Sequence, residues 1–335
     1  MTYSIWAEFA ACLFLIGYAG TRLSVYGDVI ADKTGLSGTW VGLVMLATAT
    51  SLPELITGLS SVTLASAPNI AVGNVLGSCV LNLLTLVVVD FLHRKESIYR
   101  RASQGHILSA GFGVVMIGLV GFNVLLGQRN GWAIGHVGAY TPVIVLMYVI
   151  AVRAIFLYEK QQVIEFTEDV TDRYAGTSLR RAIAGYAWAA AIVVAAGVWM
   201  PFIATRLAVA MGWHTSFVGT LLVSAATTMP ELMVTLGAVR LGALDMAIAN
   251  LLGSNLFNIV IVAIDDLFYR PGPLLSQVSA IHGVSAMSAV IMTGLAIVGI
   301  LYRPETRVLK TVGWISLGLF TVYLLNSTVL YLHSE

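Results

Sequence analysis

The sequence predicts an all-α polytopic membrane protein, with ten transmembrane helices arranged as two five-helix repeats of inverted topology. Composition, the length of the apolar segments and an internal repeat carry this prediction. Of the 335 residues, 58% are hydrophobic and 10% are charged, whereas about a quarter of a soluble domain is charged. This composition, with a mean hydropathy of +0.87, excludes a soluble globular protein. The net charge of +1 also excludes a basic surface that could hold nucleic acid by counterion release.

Each predicted helix is an apolar stretch long enough to cross a bilayer, which takes about 20 residues. The first stretch has no signal-peptide cleavage pattern and is therefore predicted to be a retained helix. The second and third stretches are separated only by residues 66–69. In chain order, the predicted spans are 5–27, 38–66, 69–92, 105–127, 138–158, 182–209, 217–240, 244–268, 279–301 and 309–332.

The basic residues divide unevenly between the two sides of the membrane that this helix count defines. Arg129, Arg206 and Arg270 fall on one side, and the other 15 of the 18 Lys and Arg residues fall on the opposite side. Cytoplasmic loops hold the excess of basic residues in membrane proteins. Both termini are therefore expected to be extracellular or periplasmic, and the chain is expected to be a multi-pass protein of the cell (inner) membrane.

The one long hydrophilic connection divides the sequence into halves. Residues 159–181 are predicted to be a cytoplasmic linker between a first five-helix repeat, residues 1–158, and a second five-helix repeat, residues 182–335. The linker contains several acidic residues, but it lacks the spacing of an EF-hand loop. It is also shorter than the roughly 50 residues that a folded regulatory domain needs. We therefore interpret it as a solvated connection.

The two halves share an internal repeat. Val41–Leu55 aligns with Val218–Leu232 at a constant offset, and after a one-residue gap Gly73–Asn82 aligns with Ala249–Asn258. Because each half has an odd number of predicted helices, equivalent helices cross the membrane in opposite directions. Secondary transporters have such inverted repeats, and their substrate site lies near the midplane where the repeats meet. A duplication that served packing alone would preserve apolar and small residues, whereas the matched segments here are the most polar parts of the spans.

Two carboxylates lie deep inside the apolar stretches. Glu54 and Glu231 occupy equivalent positions of the repeat, and the other 15 of the 17 acidic residues, including the equivalent pair Asp90 and Asp266, are placed at helix ends or in loops. A charge at the centre of a bilayer costs at least about 2.5–3.5 kcal/mol, so it is normally paired, faces a cavity or is functional. A single glutamate could be a protonated packing residue, but a symmetric pair favours a functional site.

Further oxygen atoms surround each glutamate in the sequence. Each follows a proline, and because proline has no N–H, the carbonyl oxygens of Ala49 and Ala226, four residues earlier, lose their helical partner. Backbone oxygens of residues 47–50 and 224–227 thereby become candidate ligands, together with the hydroxyl groups of Thr50, Ser51, Thr227 and Thr228. Such a set suits hard cations, since Ca2+ takes about six to eight oxygen ligands.

The following predicted helix of each half presents a polar ridge with a spacing of four residues. One ridge is Asn74, Ser78 and Asn82, and the other is Asn250, Ser254 and Asn258. Asn74 and Asn250 fit a helix-packing role and a ligand role equally well, whereas we favour a ligand role for Asn82 and Asn258. Gly73 and Gly77 are expected to let a neighbouring backbone approach this helix closely.

Charge counting narrows the class of substrate. Two ionised glutamates balance one Ca2+ or two Na+ ions, so a diamond of Glu54, Glu231, Asn82 and Asn258 could hold either substrate but not both. Mutually exclusive occupancy is what exchange at one site requires. No histidine or cysteine is expected near this site, which disfavours Zn2+ and copper.

At these residues the sequence resembles the sodium/calcium exchanger family of the cation/calcium antiporter superfamily. The resemblance lies in Thr50-Ser51-Leu52-Pro53-Glu54 with residues 73–82, and in Thr227-Thr228-Met229-Pro230-Glu231 with residues 249–258. It covers both five-helix halves. The resemblance implies ten transmembrane helices, external termini, a Ca2+ site shared with Na+ sites and electrogenic exchange.

The resemblance also implies a role for each matched residue. The central carboxylates shared by Ca2+ and Na+ would be Glu54 and Glu231, and the side chains that complete the middle site would be Asn82 and Asn258. Backbone oxygens would come from Thr50 and Thr227. Side-chain oxygens of flanking Na+ sites would come from Ser51, Thr228, Ser78 and Ser254, with further backbone carbonyls from Ala47 and Ser224.

Two departures from the family pattern bear on the coupling ion. Several prokaryotic and K+-dependent members have Asp where Asn258 stands, so a K+ requirement is not expected here. Members that exchange protons usually have an acidic residue where Gly77 stands, which favours Na+ as the driving ion. The prediction is thus a secondary active antiporter that exchanges Na+ for Ca2+ by alternating access. The alternative is an H+/Ca2+ antiporter or an antiporter of another divalent cation such as Mg2+ or Mn2+.

Other classes of protein fit less well. A dual-aspartate membrane protease needs a Gly-x-Gly-Asp element deep in a helix, whereas Gly27-Asp28 lies at a helix end without the first glycine. The chain is therefore predicted not to be an enzyme. A passive channel would show no counter-ion dependence of its flux. Apart from the transported Ca2+ and Na+ ions and the lipid bilayer, no cofactor, nucleic acid or obligate protein partner is expected.

Overall fold

The computed structural model describes residues 2–34, 49–93, 97–130, 132–163, 176–240, 242–304, 307–308 and 312–333, and most of them are helical. The helices of the first half are α1 (Thr2–Lys33), α2 (Leu52–Thr63), α3 (Pro68–Leu92), α4 (Gly105–Asn130) and α5 (Tyr140–Val163). Those of the second half are α6 (Leu179–Met211), α7 (Thr215–Thr227), α8 (Met229–Arg240), α9 (Leu244–Phe268), α10 (His282–Tyr302) and α11 (Trp314–His333).

Short elements connect some of these helices. A helical turn, Ile98–Arg101, follows α3, and a 3-10 turn, Leu274–Ser276, follows α9. Two small antiparallel hairpins occupy equivalent places before the last helix of each half. Their strands are β1 (Ala133–Ile134), β2 (Val137–Gly138), β3 (Arg307–Val308) and β4 (Val312–Gly313).

The predicted membrane spans are present as helices. Among the described residues, eight helices are long and apolar enough to cross a bilayer, and the bent pair α7–α8 makes up to nine. The remaining predicted span, residues 38–66, is described only from Ala49 onward, where α2 forms its second part. The prediction of an all-α polytopic membrane protein with two repeats is confirmed.

A break in the helix precedes each of the two membrane-embedded glutamates. Helices α7 and α8 are bent by 44° at Thr228, and a π-helical stretch, Val218–Val223, lies within α7. Glu231 falls in the first turn of α8, and Glu54 falls in the first turn of α2. Because proline is tolerated in the first helical turn, Pro53 and Pro230 favour helix starts at these points. Each glutamate thus lies at the positive end of a helix dipole.

Helices α3 and α9 form the centre of the protein. In the most apolar 18 residues of α3 and α9, 67% and 72% of the residues are buried, against 22% in the corresponding parts of α5 and α11. Gly77 of α3 lies directly on α7, where an added Cβ would lie 2.6 Å from Ser224 Oγ. The close backbone approach expected at Gly73 and Gly77 is therefore present. It brings α7 and its continuation α8 onto the polar ridge of α3.

The repeat-equivalent aspartates Asp90 and Asp266 join the two halves. At the end of α9, Asp266 accepts hydrogen bonds from Gly138 N (2.8 Å), Tyr140 Oη (2.6 Å) and Thr141 Oγ1 (2.5 Å), all in the first half. It also accepts one from Leu274 N at 2.7 Å. Four donors satisfy this buried carboxylate, so its role is structural.

Asp90 makes the same kind of contacts at the end of α3. It accepts hydrogen bonds from Gly313 N and Ser316 Oγ in the second half, both at 2.8 Å. Ile98 N donates to it as well, at 3.2 Å. Each half thus anchors the hairpin and last helix of the other half.

Candidate cation-binding site

The two glutamates face each other across the interface between the halves, and both are fully buried. Ser51 Oγ, from the first half, donates a hydrogen bond to Glu231 Oε1 at 3.1 Å. Its repeat equivalent Thr228, from the second half, has Oγ1 3.3 Å from Glu54 Oε1. The hydroxyl groups that precede each helix therefore serve the carboxylate of the opposite repeat.

The serine of α3 belongs to the same cluster. Ser78 Oγ donates to Glu54 Oε1 at 3.2 Å and lies 2.8 Å from Thr228 Oγ1. On the other side of the site, the hydroxyl oxygens of Thr50 and Ser254 are 3.5 Å apart. The structure thus brings together five of the predicted hydroxyl ligands and both glutamates.

The outer amides of the two ridges hold helices together. Asn74 Oδ1 accepts a hydrogen bond from Thr227 Oγ1 at 2.8 Å, and Asn74 Nδ2 donates to the carbonyl oxygen of Glu54 at 3.4 Å. Asn250 Nδ2 donates to Thr235 Oγ1 at 3.3 Å. Of the two roles that the sequence left open for Asn74 and Asn250, these contacts favour helix packing.

The inner amides of the two ridges, Asn82 and Asn258, are fully buried. Asn82 Nδ2 donates to Asn255 Oδ1 at 2.9 Å, which leaves Asn82 Oδ1 buried and without a hydrogen-bond partner among the described residues. Both amide atoms of Asn258 are buried and likewise unpartnered. Asn82 and Asn258 thus each have a carbonyl oxygen available within the site.

Each of the four residues of the predicted diamond has one buried oxygen atom that finds no hydrogen-bond partner in the described part of the chain. These oxygen atoms are Glu54 Oε2, Glu231 Oε2, Asn82 Oδ1 and Asn258 Oδ1. An unpartnered buried acceptor is costly, about 1–3 kcal/mol for a neutral group and more for a charged one. Two of these four oxygens belong to carboxylates and two to amides, so together they are available to coordinate a cation.

Asn255 is a residue of the site to which the sequence assigned no role. Besides accepting from Asn82, its Nδ2 donates to the carbonyl oxygen of Cys79 at 3.2 Å. Asn255 therefore determines which end of the Asn82 amide is free. The repeat carries a signal for it, because Cys79 stands at the equivalent position of the first half.

The predicted ligand oxygen of Ser224 already has hydrogen-bond partners in the structure. The carbonyl oxygen of Ser224 accepts hydrogen bonds from Thr228 N (2.9 Å) and Thr227 Oγ1 (3.3 Å), so it is engaged within α7. Ala47 lies outside the described residues. The expectation that no cysteine lies near the site is wrong, because the contacts between α3 and α9 bring Cys79 Sγ within 3.9 Å of the Asn255 carbonyl oxygen.

The donor set is that of a hard cation. It combines two carboxylates with amide and hydroxyl oxygens, and the described residues contain no cluster of three or more His, Cys, Asp or Glu side chains that could hold a metal ion. Oxygen ligands of this kind suit Na+ and Ca2+ rather than zinc or copper.

Known proteins are similar to this chain along most of its length. A family model described as "Sodium/calcium exchanger protein" matches residues 4–157 and 181–329. A relative named sodium/calcium exchanger MaX1, from Methanosarcina acetivorans, is 29% identical over 272 residues, which are 72% of this chain and 77% of that protein.

Two groups of solved structures share the fold. The H+/Ca2+ exchanger CAX superposes with a TM-score of 0.70 at 13% identity, over 98% of this chain and 85% of that chain. A structure of the sodium-calcium exchanger NCX_Mj superposes with a TM-score of 0.59 at 20% identity, over 97% of this chain and 98% of that chain. At these identities the likeness shows the fold alone.

Proposed function

The chain belongs to the sodium/calcium exchanger family, and from this premise we propose that it is a secondary active antiporter that exchanges Na+ for Ca2+ at the site between Glu54 and Glu231. The family is one of transporters, and the chain is a multi-pass membrane protein. The observation that carries the proposal is the set of four unpartnered buried oxygens on Glu54, Glu231, Asn82 and Asn258.

The charge of this set supports exchange of the two ions. Two carboxylates neutralise one Ca2+ or two Na+ ions, and the amide at Asn258 adds no further negative charge. Because both ions draw on the same two carboxylates, binding of one displaces the other. Competition for one site is the requirement for coupled exchange by alternating access.

The surrounding hydroxyl groups support a division of the site. A Ca2+ ion takes about six to eight oxygens, so the diamond would need further oxygens from its neighbours. The hydroxyl groups of Ser51, Ser78 and Thr228 now contact one another or a glutamate, and the hydroxyl group of Ser254 contacts that of Thr50. We assign them to flanking Na+ sites, with backbone oxygens from Thr50, Thr227 and Ala47 as further ligands. The Ser224 carbonyl oxygen could contribute as well if it exchanged the hydrogen bond from Thr227 Oγ1 for the ion.

The first helix of each half is the part that we expect to move. Helices α1 and α6 pack along each other, and Arg206 of α6 forms an ion pair with Glu8 of α1. Small residues lie where this pair crosses the helices of the site: a Cβ added at Gly20 would lie 2.9 Å from Pro230 Cβ. Because glycine has no side chain to interlock with the opposite helix, α1 and α6 can slide as a unit past the glutamates and open the site to either side of the membrane.

The orientation proposed for this transporter follows from the basic residues. With 15 of the 18 Lys and Arg residues on the side of the 159–181 linker, that linker would be cytoplasmic and both termini external in the cell (inner) membrane. Accessibility of a cysteine introduced near either terminus to an impermeant thiol reagent, on intact cells, tests this orientation. Labelling only after permeabilisation would contradict it.

Uptake of radiolabelled Ca2+ into proteoliposomes, driven by an outward Na+ gradient, tests the function. We expect the double variant Glu54→Gln with Glu231→Gln to abolish uptake. Asp245→Asn is the matched control, because it also turns a carboxylate into an amide but acts at a contact with His106 and Ser103. Uptake that survives the double substitution would refute the assignment.

The same assay distinguishes Na+ from H+ as the driving ion and Ca2+ from other divalent cations as the transported ion. If a pH gradient drives Ca2+ uptake in Na+-free buffer and a Na+ gradient does not, the protein is an H+/Ca2+ antiporter. If Mg2+ or Mn2+ is taken up in preference to Ca2+, it is an antiporter of that cation. Flux without any counter-ion dependence would indicate a channel.

A further inference from the structure

Helix α9 carries a second buried carboxylate that has no counterpart in the first half. Asp265 precedes the fully hydrogen-bonded Asp266, and Val89 stands at its equivalent position. The sequence places Asp265 at a helix end, which is correct, but the side chain is not solvated as helix-end acids usually are. It is 1% exposed, and neither carboxylate oxygen has a hydrogen-bond partner among the described residues.

Asp265 lies at the interface between α2 and α9, the helices that carry Glu54 and Asn258 of the cation site. Its carboxyl group packs on Gly58 of α2, where an added Cβ would lie 2.9 Å from Oδ1 and 3.0 Å from Cγ. Gly58 is one turn beyond Glu54 on α2, and Asp265 is two turns beyond Asn258 on α9. At a rise of 1.5 Å per residue, these two offsets place the carboxyl group about 6–10 Å along the helices from the site, toward the end of α9.

No group in the described surroundings compensates a negative charge on Asp265. At this end of α9 the ionisable groups are Asp266 on α9 itself, Glu54 on α2 and Tyr140 on α5. His136, whose Nε2 lies 3.1 Å from the carbonyl oxygen of Leu267, and Tyr269 and Arg270, which follow α9, make no hydrogen bond to Asp265. The described parts of α3, α4 and α8 add no basic side chain there, and the helix end itself carries partial negative charge. A buried carboxylate in such surroundings is therefore expected to be neutralised, either by a bound metal cation or by a proton.

The available ligands identify that cation. A Na+ or Ca2+ ion needs several oxygens, whereas the described residues offer only the two carboxylate oxygens at this point. Thr57 Oγ1 is also buried and unpartnered, but Thr57 faces Gly197 of α6. A proton needs one oxygen. We propose that Asp265 is a proton-binding site linked to the cation site, so that binding of Ca2+ between Glu54 and Glu231 expels the proton from Asp265.

Electrostatics gives the direction and size of the linkage. Two unit charges about 10 Å apart at an effective dielectric constant of 20 alter a binding constant by roughly tenfold, and a divalent ion doubles the interaction energy. Ionised Asp265 therefore strengthens Ca2+ binding, and bound Ca2+ favours ionised Asp265 to the same extent, because linkage is reciprocal. Ca2+ affinity should rise with pH as Asp265 loses its proton.

The inference rests on the proposed function and is tested with the purified full-length protein in detergent. Ca2+ is added at several pH values, its affinity is measured by calorimetry, and the protons released are counted with a pH-sensitive dye. We expect Asp265→Asn to release fewer protons per bound Ca2+ than the wild type, by up to one. Its Ca2+ affinity should depend less steeply on pH, by up to tenfold per pH unit.

Two controls keep the test decisive. Val89→Asn places the same amide at the equivalent position of α3 and should leave proton release unchanged. If Asp265→Asn does not fold, the smaller Asp265→Ser serves as the second neutral variant. Equal proton release by wild type and variant would overturn this inference alone, whereas a wild type that binds no Ca2+ would overturn the proposed function.

Discussion

Substitution of Asn255 by leucine should weaken Ca2+ binding although it removes none of the four unpartnered oxygens. The Asn82 amide donates to Asn255 Oδ1 at 2.9 Å, and this bond holds Asn82 Oδ1 toward the site. Without it, the buried Asn82 Nδ2 has no partner and the amide can turn over. A buried donor that loses its partner costs about 1–3 kcal/mol.

This energy translates into an expected loss of affinity. The Asn82 oxygen can face Ca2+ in the Asn255→Leu variant only if Nδ2 stays unsatisfied, so the cost falls on the bound state. A cost of about 1–3 kcal/mol corresponds to a roughly 5- to 150-fold increase in the Kd for Ca2+. Calorimetric titration of the purified protein measures it, and the KM for Ca2+ in proteoliposomes should rise by a similar factor.

Controls separate positioning of Asn82 from a loss of folding. Asn255 also donates to the Cys79 carbonyl oxygen at 3.2 Å, so its loss will lower the Tm as well. Cys79→Asn places an amide at the equivalent position, where the repeat would let it hold Asn258 in the same way; it should bind Ca2+ at least as tightly as the wild type. An unchanged Kd in Asn255→Leu, at whatever Tm, would refute the reasoning.

Two further predictions concern the contacts between the halves and the moving helices. Asp266→Asn should lower the free energy of unfolding by about 2–6 kcal/mol. Two donors converge on each carboxylate oxygen, and the two that face the amide nitrogen would lose their acceptor, at about 1–3 kcal/mol each. Thermal unfolding in detergent measures this, and a Tm equal to the wild type would contradict it. Asp90→Asn should lower the free energy of unfolding as well, because Gly313 N, Ser316 Oγ and Ile98 N donate to that carboxylate. Gly20→Leu and Gly197→Leu should reduce the rate of Na+-driven Ca2+ uptake at least tenfold, whereas the Kd for Ca2+ should change little. The added side chains would contact Pro230 and Ile56, respectively, and would obstruct the sliding of α1 and α6. Wild-type uptake rates in both variants would show that α1 and α6 do not move in this way.

The membrane architecture could be predicted closely from the sequence. The predicted spans 69–92 and 244–268 correspond to helices Pro68–Leu92 and Leu244–Phe268. A bilayer demands about 20 apolar residues per span and satisfies no backbone polar group, so length and hydropathy are sufficient signals. Because a charge inside a bilayer is costly, the position of Glu54 and Glu231 within the spans was sufficient to predict a functional site there.

The repeat predicted which residues share the site, because equivalent residues of an inverted repeat meet at its axis. What it could not predict is which atoms pair. Ser51 donates to Glu231 rather than to the nearer glutamate in sequence, and Asn255 pairs with Asn82 of the other half. These choices depend on the angle and distance between packed helices, which the helical period of one segment does not encode.

Asp265 and Asp266 show this division most clearly. In the sequence they are two identical residues at the end of one helix, and both are predicted to lie at its boundary. Successive residues of a helix point about 100° apart, so Asp266 reaches four donors while Asp265 packs on Gly58 without any described partner. The sequence alone determined that the chain spans the membrane, that its halves repeat and that two glutamates lie within the spans. Only the packing of α2, α5 and α9 decided which aspartate is structural and which needs a cation, because neighbouring helices supply or withhold the hydrogen-bond donors.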